Sequence, residues 1–352
     1  MDASSSTLPP SQPVVYRFEF RGKASEYFRI WIVNIALSIV TLGIYSAWAK
    51  VRARRYFYGN TYLNGSSFDY HGNPINILKG RILFALFFVI NAMGEFWTPL
   101  KAVIVLMALA FPLLFVRGMI FNLSNSSYRG VRFGFAKNYK GAYGMFLRMI
   151  AWIVFTFFLM TGLGMHAFEK FRIENSRYGQ TPFKFSGNKW EYWRIYLKAA
   201  GLLLLCYALL FGAIFGGGSF LKKEHGATTP MILIGVTLLV FYVVAGLSLT
   251  YVRCQTLNFV YRNTSVGNLQ LKSKFATVDL FLIYLGNFFA CALTLGLAYP
   301  WARIELAKYR AATTAVIAPP EAFDAFAASQ LEGQAGSLGD QALDFWDIDL
   351  GF

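Results

Sequence analysis

The chain has 352 residues, of which 56% are hydrophobic, 18% aromatic and only 14% charged, with a mean hydropathy of +0.44. Soluble domains carry about 25% charged residues, so this composition excludes an ordinary soluble protein, a disordered chain and, with 3 Cys, a disulfide scaffold. The net charge of +15 divides into −7 over residues 319–352, which hold no Lys or Arg, and +22 over the rest. The basic residues lie in short loops between apolar segments, which points to an anionic membrane surface rather than to nucleic acid.

Residues 1–15 are rich in Ser and Pro, lack the basic start and apolar core of a cleavable signal peptide, and are expected to be unstructured. Phe18-Glu-Phe-Arg-Gly22 follows, then Glu26-Tyr-Phe-Arg-Ile30. The first reads as a short extended piece ended by glycine, the second as the opening of an interfacial helix. Seven apolar stretches come next, near Ile30–Trp48, Ile82–Trp97, Val103–Phe121, Phe146–Met165, Ile195–Phe215, Met231–Val252 and Leu280–Trp301. A helix needs about 20 apolar residues to cross a bilayer, and lipid demands internally satisfied backbone. The expected fold class is therefore an all-α polytopic membrane protein with about seven apolar helical segments.

Self-similarity organises those segments. At an offset of 165, Phe183-Lys-Phe-Ser-Gly187 and Glu191-Tyr-Trp-Arg-Ile195 repeat the opening, and Phe68-Asp-Tyr-His-Gly72 is a shorter copy. At an offset of 253, Thr41-Leu-Gly-Ile-Tyr-Ser-Ala-Trp-Ala-Lys50 matches Thr294-Leu-Gly-Leu-Ala-Tyr-Pro-Trp-Ala-Arg303, which also pairs Asn34 with Asn287 and Tyr56 with Tyr309. Arg117 to Asn122 and Arg253 to Asn258 share one spacing. The chain reads as single segment, hairpin, single segment, hairpin, single segment. The expected division is a disordered start over 1–15, a membrane domain over 16–318 (units 16–135 and 136–271, last segment 272–318) and an acidic, largely disordered tail over 319–352.

The stretches Glu26–Asn34, Thr41–Arg52, Arg55–Thr61 and Phe68–Gly72 together resemble the YjgN-like family, bacterial inner-membrane proteins of unknown function. The resemblance covers most of residues 16–315 and implies a multi-pass inner-membrane location. It implies no reaction, ligand or catalytic residue.

Loop charges pose a topological question. The loops beside the single segments carry +5 (49–81), +4 (122–142), +3 (167–194), +4 (253–277) and +2 (302–318), while the hairpin tips carry +1 each. Basic loops stay cytoplasmic. If all seven segments cross, the second unit is inverted relative to the first, as in many secondary transporters, and the N-terminus lies outside. If the single segments dip and return, every basic loop and both termini lie in the cytoplasm. The C-terminus is cytoplasmic either way.

The candidate intramembrane polar site comprises Glu95 together with Asn34 and Asn287, a repeat-related pair that could line a cavity; the bland alternative is hydrogen bonding between helices. The run Lys50, Arg52, Arg54 and Arg55, set between Trp48 and Tyr56-Phe-Tyr58, forms with Arg303, Lys308 and Arg310 a candidate contact for anionic lipid headgroups. His71, His166 and His225 are scattered, and Cys206, Cys254 and Cys291 lack metal-ligand spacing. No catalytic motif stands out, so the expectation is no enzyme, no cofactor and no metal. The partners expected are membrane lipids, a small solute, and a docking surface for the acidic tail. Two functions stand: a small-solute transporter or channel-like protein, and a non-transporting envelope protein that binds anionic lipid or scaffolds partners.

Overall fold

The computed structural model describes residues 12–94, 101–212, 215, 228–319, 323–326 and 328–330. Its centre is a closed antiparallel barrel of ten short strands. In chain order the elements are β1 (Val14–Phe20), α1 (Ala24–Val40), α2 (Ser46–Gly59), β2 (Thr61–Leu63), β3 (Ser66–Tyr70), α3 (Pro74–Gly94), α4 (Lys101–Ser124), β4 (Ser126–Tyr128), β5 (Val131–Phe135), α5 (Tyr139–Phe155), α6 (Thr161–Glu174), β6 (Ser176–Tyr178), β7 (Thr181–Phe185), α7 (Lys189–Gly212), α8 (Thr228–Arg262), β8 (Thr264–Val266), β9 (Leu269–Ser273), α9 (Thr277–Leu293), α10 (Tyr299–Thr313) and β10 (Thr314–Ala318). Consecutive strands pair around the ring, and β10 closes on β1, Val14 opposite Ala318.

Local chemistry builds each strand pair. Two-residue turns need positive φ, and Asn64-Gly65 and Arg129-Gly130 supply it at both positions, Gly179 and Gly267 at the first. Each helix entering the barrel stops on a capping pair. The Asn60, Asn125, Asn175 and Asn263 amides donate to the carbonyl four residues back, and Thr313 Oγ1 does the same at the fifth position. The next residue (Thr61, Ser126, Ser176, Thr264 or Thr314) donates its hydroxyl in the same way. The cap carbonyls then accept the N–H groups of Arg21, His71, Ala136, Ser186 and Lys274 as the neighbouring strands leave the barrel. The terminal carbonyls of the helices are thus satisfied where they meet the sheet.

Side chains fill the bore. Leu63, Tyr128, Val131, Tyr178, Val266, Leu269, Val316 and Ala318 are buried there. The Tyr128 hydroxyl donates to Leu63 O at 2.6 Å and that of Tyr178 to Tyr128 O at 3.0 Å, so even the polar tips are satisfied. Phe323 stops the end formed by the hairpin turns; it belongs to a stretch that composition alone assigned to an unordered tail.

The all-α class, with its seven apolar helical segments arranged single–hairpin–single–hairpin–single, is corrected by this barrel. Each of the three single segments is two helices. Residues 41–45, 156–160 and 294–298 break them by one device: Gly43, Phe158 and Gly296 donate to the carbonyl five residues back, from left-handed φ of +89°, +67° and +90°. Thr41, Thr156 and Thr294 brace the turn through their hydroxyls. Among the described residues two helices are long and apolar enough to cross a bilayer, Lys189–Gly212 and Ile234–Arg262; Leu109–Ser124 and Thr277–Leu293 are shorter apolar stretches. A closed barrel also requires every hairpin to lie on one side of any bilayer. An arrangement that puts loops 49–81 and 167–194 on opposite faces would tear β5 from β6, whose register sets Phe133 opposite Tyr178.

Candidate functional site

At the helix end of the barrel the strand mouths open onto a cavity of about 1020 Å³ between α6, α7, α8 and the strands. Small-molecule sites span about 300–1,000 Å³. Its wall combines the polar or charged side chains of Ser176, Thr264, Glu169, Arg172, Arg253 and Tyr261 with the apolar ones of Leu197, Leu203, Leu249 and Val252. Glu169 and Arg172 come from the last turns of α6, and Arg253 and Tyr261 from the last third of α8, the parts of these helices that lead into β6 and β8.

Glu169 and Arg172 neutralise one another, with Nε and Nη2 of the guanidinium donating to Glu169 Oε2 at 3.0 and 2.5 Å. Arg253 has no hydrogen-bond or ion-pair partner for its guanidinium among the described residues. It lines a second cavity of about 600 Å³ too, with Leu257 and Tyr261 in the shared wall and Thr61, Thr314, Arg303 and Arg310 on the far side. The Arg310 guanidinium is likewise unpaired among the described residues. Arg303 lies over the Phe57 ring at 5.1 Å and donates to the Tyr299 hydroxyl at 2.9 Å. A guanidinium held by ring faces keeps N–H groups free for a phosphate or carboxylate. The arrangement can hold an anionic head beside an apolar slot.

The expected headgroup cluster is divided by the fold. Arg303 and Arg310 line the second cavity. Arg54 instead ties α2 to β3 and α4, donating to the Tyr70 hydroxyl at 2.8 Å and to Asn122 Oδ1 at 2.5 Å. Arg52, Arg55 and Lys308 are exposed and Lys50 is half-buried. Asn34 is buried, its amide 3.5 Å from Ala49 O. Asn34 Oδ1 and Asn287 Oδ1 are both buried without a partner, but they belong to separate helix pairs, α1–α2 and α9–α10, and share no hydrogen bond. Glu95 lies outside the described residues. The Arg117–Asn122 and Arg253–Asn258 spacings do different work: Asn122 holds Arg54, whereas Asn258 Oδ1 accepts from Phe275 N and Ser273 Oγ at 2.8 Å each.

Arg253, Arg172, Glu169 and Tyr261 escaped sequence reasoning as site members. The available signal was the Asn-Ser or Asn-Thr pair at 60–61, 125–126, 175–176 and 263–264, which marks the barrel mouth and so the helix turns that face it.

The family described as "Bacterial protein of unknown function (DUF898)" matches residues 15–345, and the chain belongs to it. The curated relatives are named inner membrane protein YjgN. The one from Escherichia coli strain K12 is 31% identical over 153 residues, 43% of this chain and 36% of the relative. That from Salmonella typhimurium is 32% identical over 127 residues, 35% and 32% of the two chains. The matched part of the chain thus spans about a third of the length of those relatives. The resemblance to the YjgN-like family noted from the opening motifs is thereby established. No solved structure matches the chain significantly.

Proposed function

We propose that this chain is an inner-membrane protein that binds an anionic amphiphile, a phospholipid in the first instance, with its phosphate on Arg253 and Arg310 and an acyl chain along α7 and α8. The observation that carries the reading is the cavity beside α7 and α8, the two helices long and apolar enough to span a bilayer, whose apolar wall also holds Arg253, an arginine shared with the adjoining cavity that Arg310 lines. A passage for solute through the barrel finds no support, since aromatic and aliphatic side chains occupy the bore.

Placement in the membrane follows the same chemistry. The names of the curated relatives support the inner membrane. The basic loops gather at the barrel, which supports a cytoplasmic barrel with both ends of the domain on that side. The long pairs cross and return. The three broken pairs enter only part-way: α1 and α9 are 17 residues each, about 25 Å at 1.5 Å per residue, short of the ~30 Å core. Their turns present Leu42 and Leu295 at 95% exposure and Phe157 at 91%, surfaces that hydrocarbon would cover.

The test is native mass spectrometry of the full chain released from membranes. Wild type should retain phosphatidylglycerol or cardiolipin over phosphatidylethanolamine. Arg253→Ala and Arg310→Ala should each weaken retention about fivefold, since a basic residue near an anionic surface contributes roughly 1 kcal/mol. Equal retention by the Arg253→Ala/Arg310→Ala double variant would sink the reading.

A further inference from the structure

We infer that the turn end of the barrel is a peptide-recognition site for acidic aromatic segments of the form Phe-Asp-x-Phe, filled in this structure by residues 323–326 of the same chain and open to such a segment from another polypeptide. The inference is independent of the lipid reading, because it concerns the opposite end of the barrel.

The site is built from the hairpin turns. Phe323 is 3% exposed. Its ring lies 4.7 Å from that of Tyr16 and meets Tyr128 edge-on at 6.5 Å. The Arg129 guanidinium covers it at 5.3 Å and reaches Asp324 Oδ1 at 2.5 Å. The Asn64 amide points at the same oxygen from 3.5 Å. Phe326 packs on Tyr178 at 5.9 Å and crosses the Gly267 turn so closely that a Cβ there would stand 2.7 Å from its ring. Gln330 Oε1 accepts the Gln180 N–H at 3.0 Å.

These contacts amount to two aromatic seats and one cation, fixed on a rigid ring of turns. The occupant adds no strand to the barrel, so no ladder ties it in place and its recognition rests on side chains. Such an occupant is exchangeable. Tethering gives it an effective concentration in the millimolar range, so a competing segment must itself be held nearby. The charge pattern selects the competitor: Arg129 faces a carboxylate one residue after the first aromatic, within a body of charge +22 that favours acidic chains. Asp344-Phe-Trp-Asp347 repeats those residue types in the same tail.

The experiment uses the full chain in detergent micelles with Phe323→Ala and Phe326→Ala, and a fluorescein-labelled peptide matching residues 321–332 as probe. Anisotropy should report saturable binding to the double variant, at least tenfold tighter than to wild type, where the resident segment competes. Replacing the peptide's aspartate at position 324 by alanine should weaken binding several-fold, and adding Arg129→Ala to the chain should abolish that difference. Binding of equal strength to wild type, or indifference to the aspartate, would show general adhesion to a basic surface and overturn the inference. If the double variant does not give a monodisperse folded protein, hydrogen exchange on wild type decides. Millimolar peptide should speed exchange over residues 323–330 while the hairpins at 126–135 and 176–185 stay protected; unchanged exchange over 323–330 overturns it.

Discussion

At the residue scale, burial separates anchors from ornaments. Phe323 is almost wholly enclosed, whereas the carboxylate that follows it is 67% exposed. Deleting a buried phenylalanine side chain costs about 3–5 kcal/mol, while an exposed ion pair contributes at most ~1 kcal/mol. Phe323→Ala should therefore free the segment 323–330 to limited proteolysis, and Asp324→Asn should leave it largely protected; comparable cleavage of the two variants would contradict this ranking. His166 makes a second residue-scale prediction. Burial pulls its pKa below the ordinary histidine value, helped by Lys170 and Lys189 and opposed by its contact with Gly187 O at 2.9 Å. The unfolded chain then takes up the proton more readily, so stability falls as pH drops below about 6.5, the unfolded value. Thermal unfolding at pH 8 and pH 5.5 should show that loss in wild type and a smaller one in His166→Gln, whose amide can still donate to the carbonyl. Among candidate site residues, Arg303 and Arg310 were legible because cations beside Trp301 and Tyr309 mark an interface. Arg253 was not, because a lone arginine within an apolar run gives no hint of which strand ends it will face.

Elements were read well where they are long and poorly where they are short. The helices of the two hairpins announce themselves by continuous apolar runs. Most strands span three to five residues; only the alternating aromatics at Phe18, Phe68 and Phe183, which fall in β1, β3 and β7, marked extended pieces, and of the four barrel turns only Asn64-Gly65 has the strong hairpin dipeptide. The single segments looked unbroken because their turns are as apolar as their helices; only Thr-Leu-Gly betrayed two of the breaks, and Thr156 to Met160 makes the same bend without glycine. The offset that pairs Tyr56 with Tyr309 has a structural meaning. The Tyr56 hydroxyl accepts from Lys23 N at 2.8 Å and donates to Lys23 O at 2.9 Å; Tyr309 engages Ala276 N and O at 3.0 and 3.2 Å. Both pin the corner where a strand becomes a helix, and burial pushes the Tyr56 phenol up to about 12. Glycine substitutions should divide by site. Gly43→Ala meets no atom within 4 Å and suffers only its left-handed φ, about 1 kcal/mol, whereas Gly267→Ala also strikes the Phe326 ring. Hydrogen exchange over 323–330 should rise in Gly267→Ala and stay unchanged in Gly43→Ala.

At the scale of the whole molecule, charge distribution carried more than hydropathy. Counting apolar segments suggested seven crossings, but the basic loops grouped themselves on one face, and that face is where the strands meet. Single cysteines at Ser66 and Ser176, in a background without Cys206, Cys254 and Cys291, should therefore label from the same side of the membrane, since Ser66 lies in β3 and Ser176 in β6 of one ring. Opposite labelling would be incompatible with the barrel. The ring itself could not be read from one sequence, because the pairings between its hairpins, and the closure of β1 on β10, join strands that are far apart along the chain.

The closure of β1 on β10 has a consequence for biogenesis. Val14 finds its partner only when Ala318 has left the ribosome, so every helix pair is made before the sheet can be sealed. Until then β1 and the most recently made strand present open edges, the kind of surface that invites wrong pairing. Chains stopped before residue 314 would lack β10 and leave β1 and β9 with open edges.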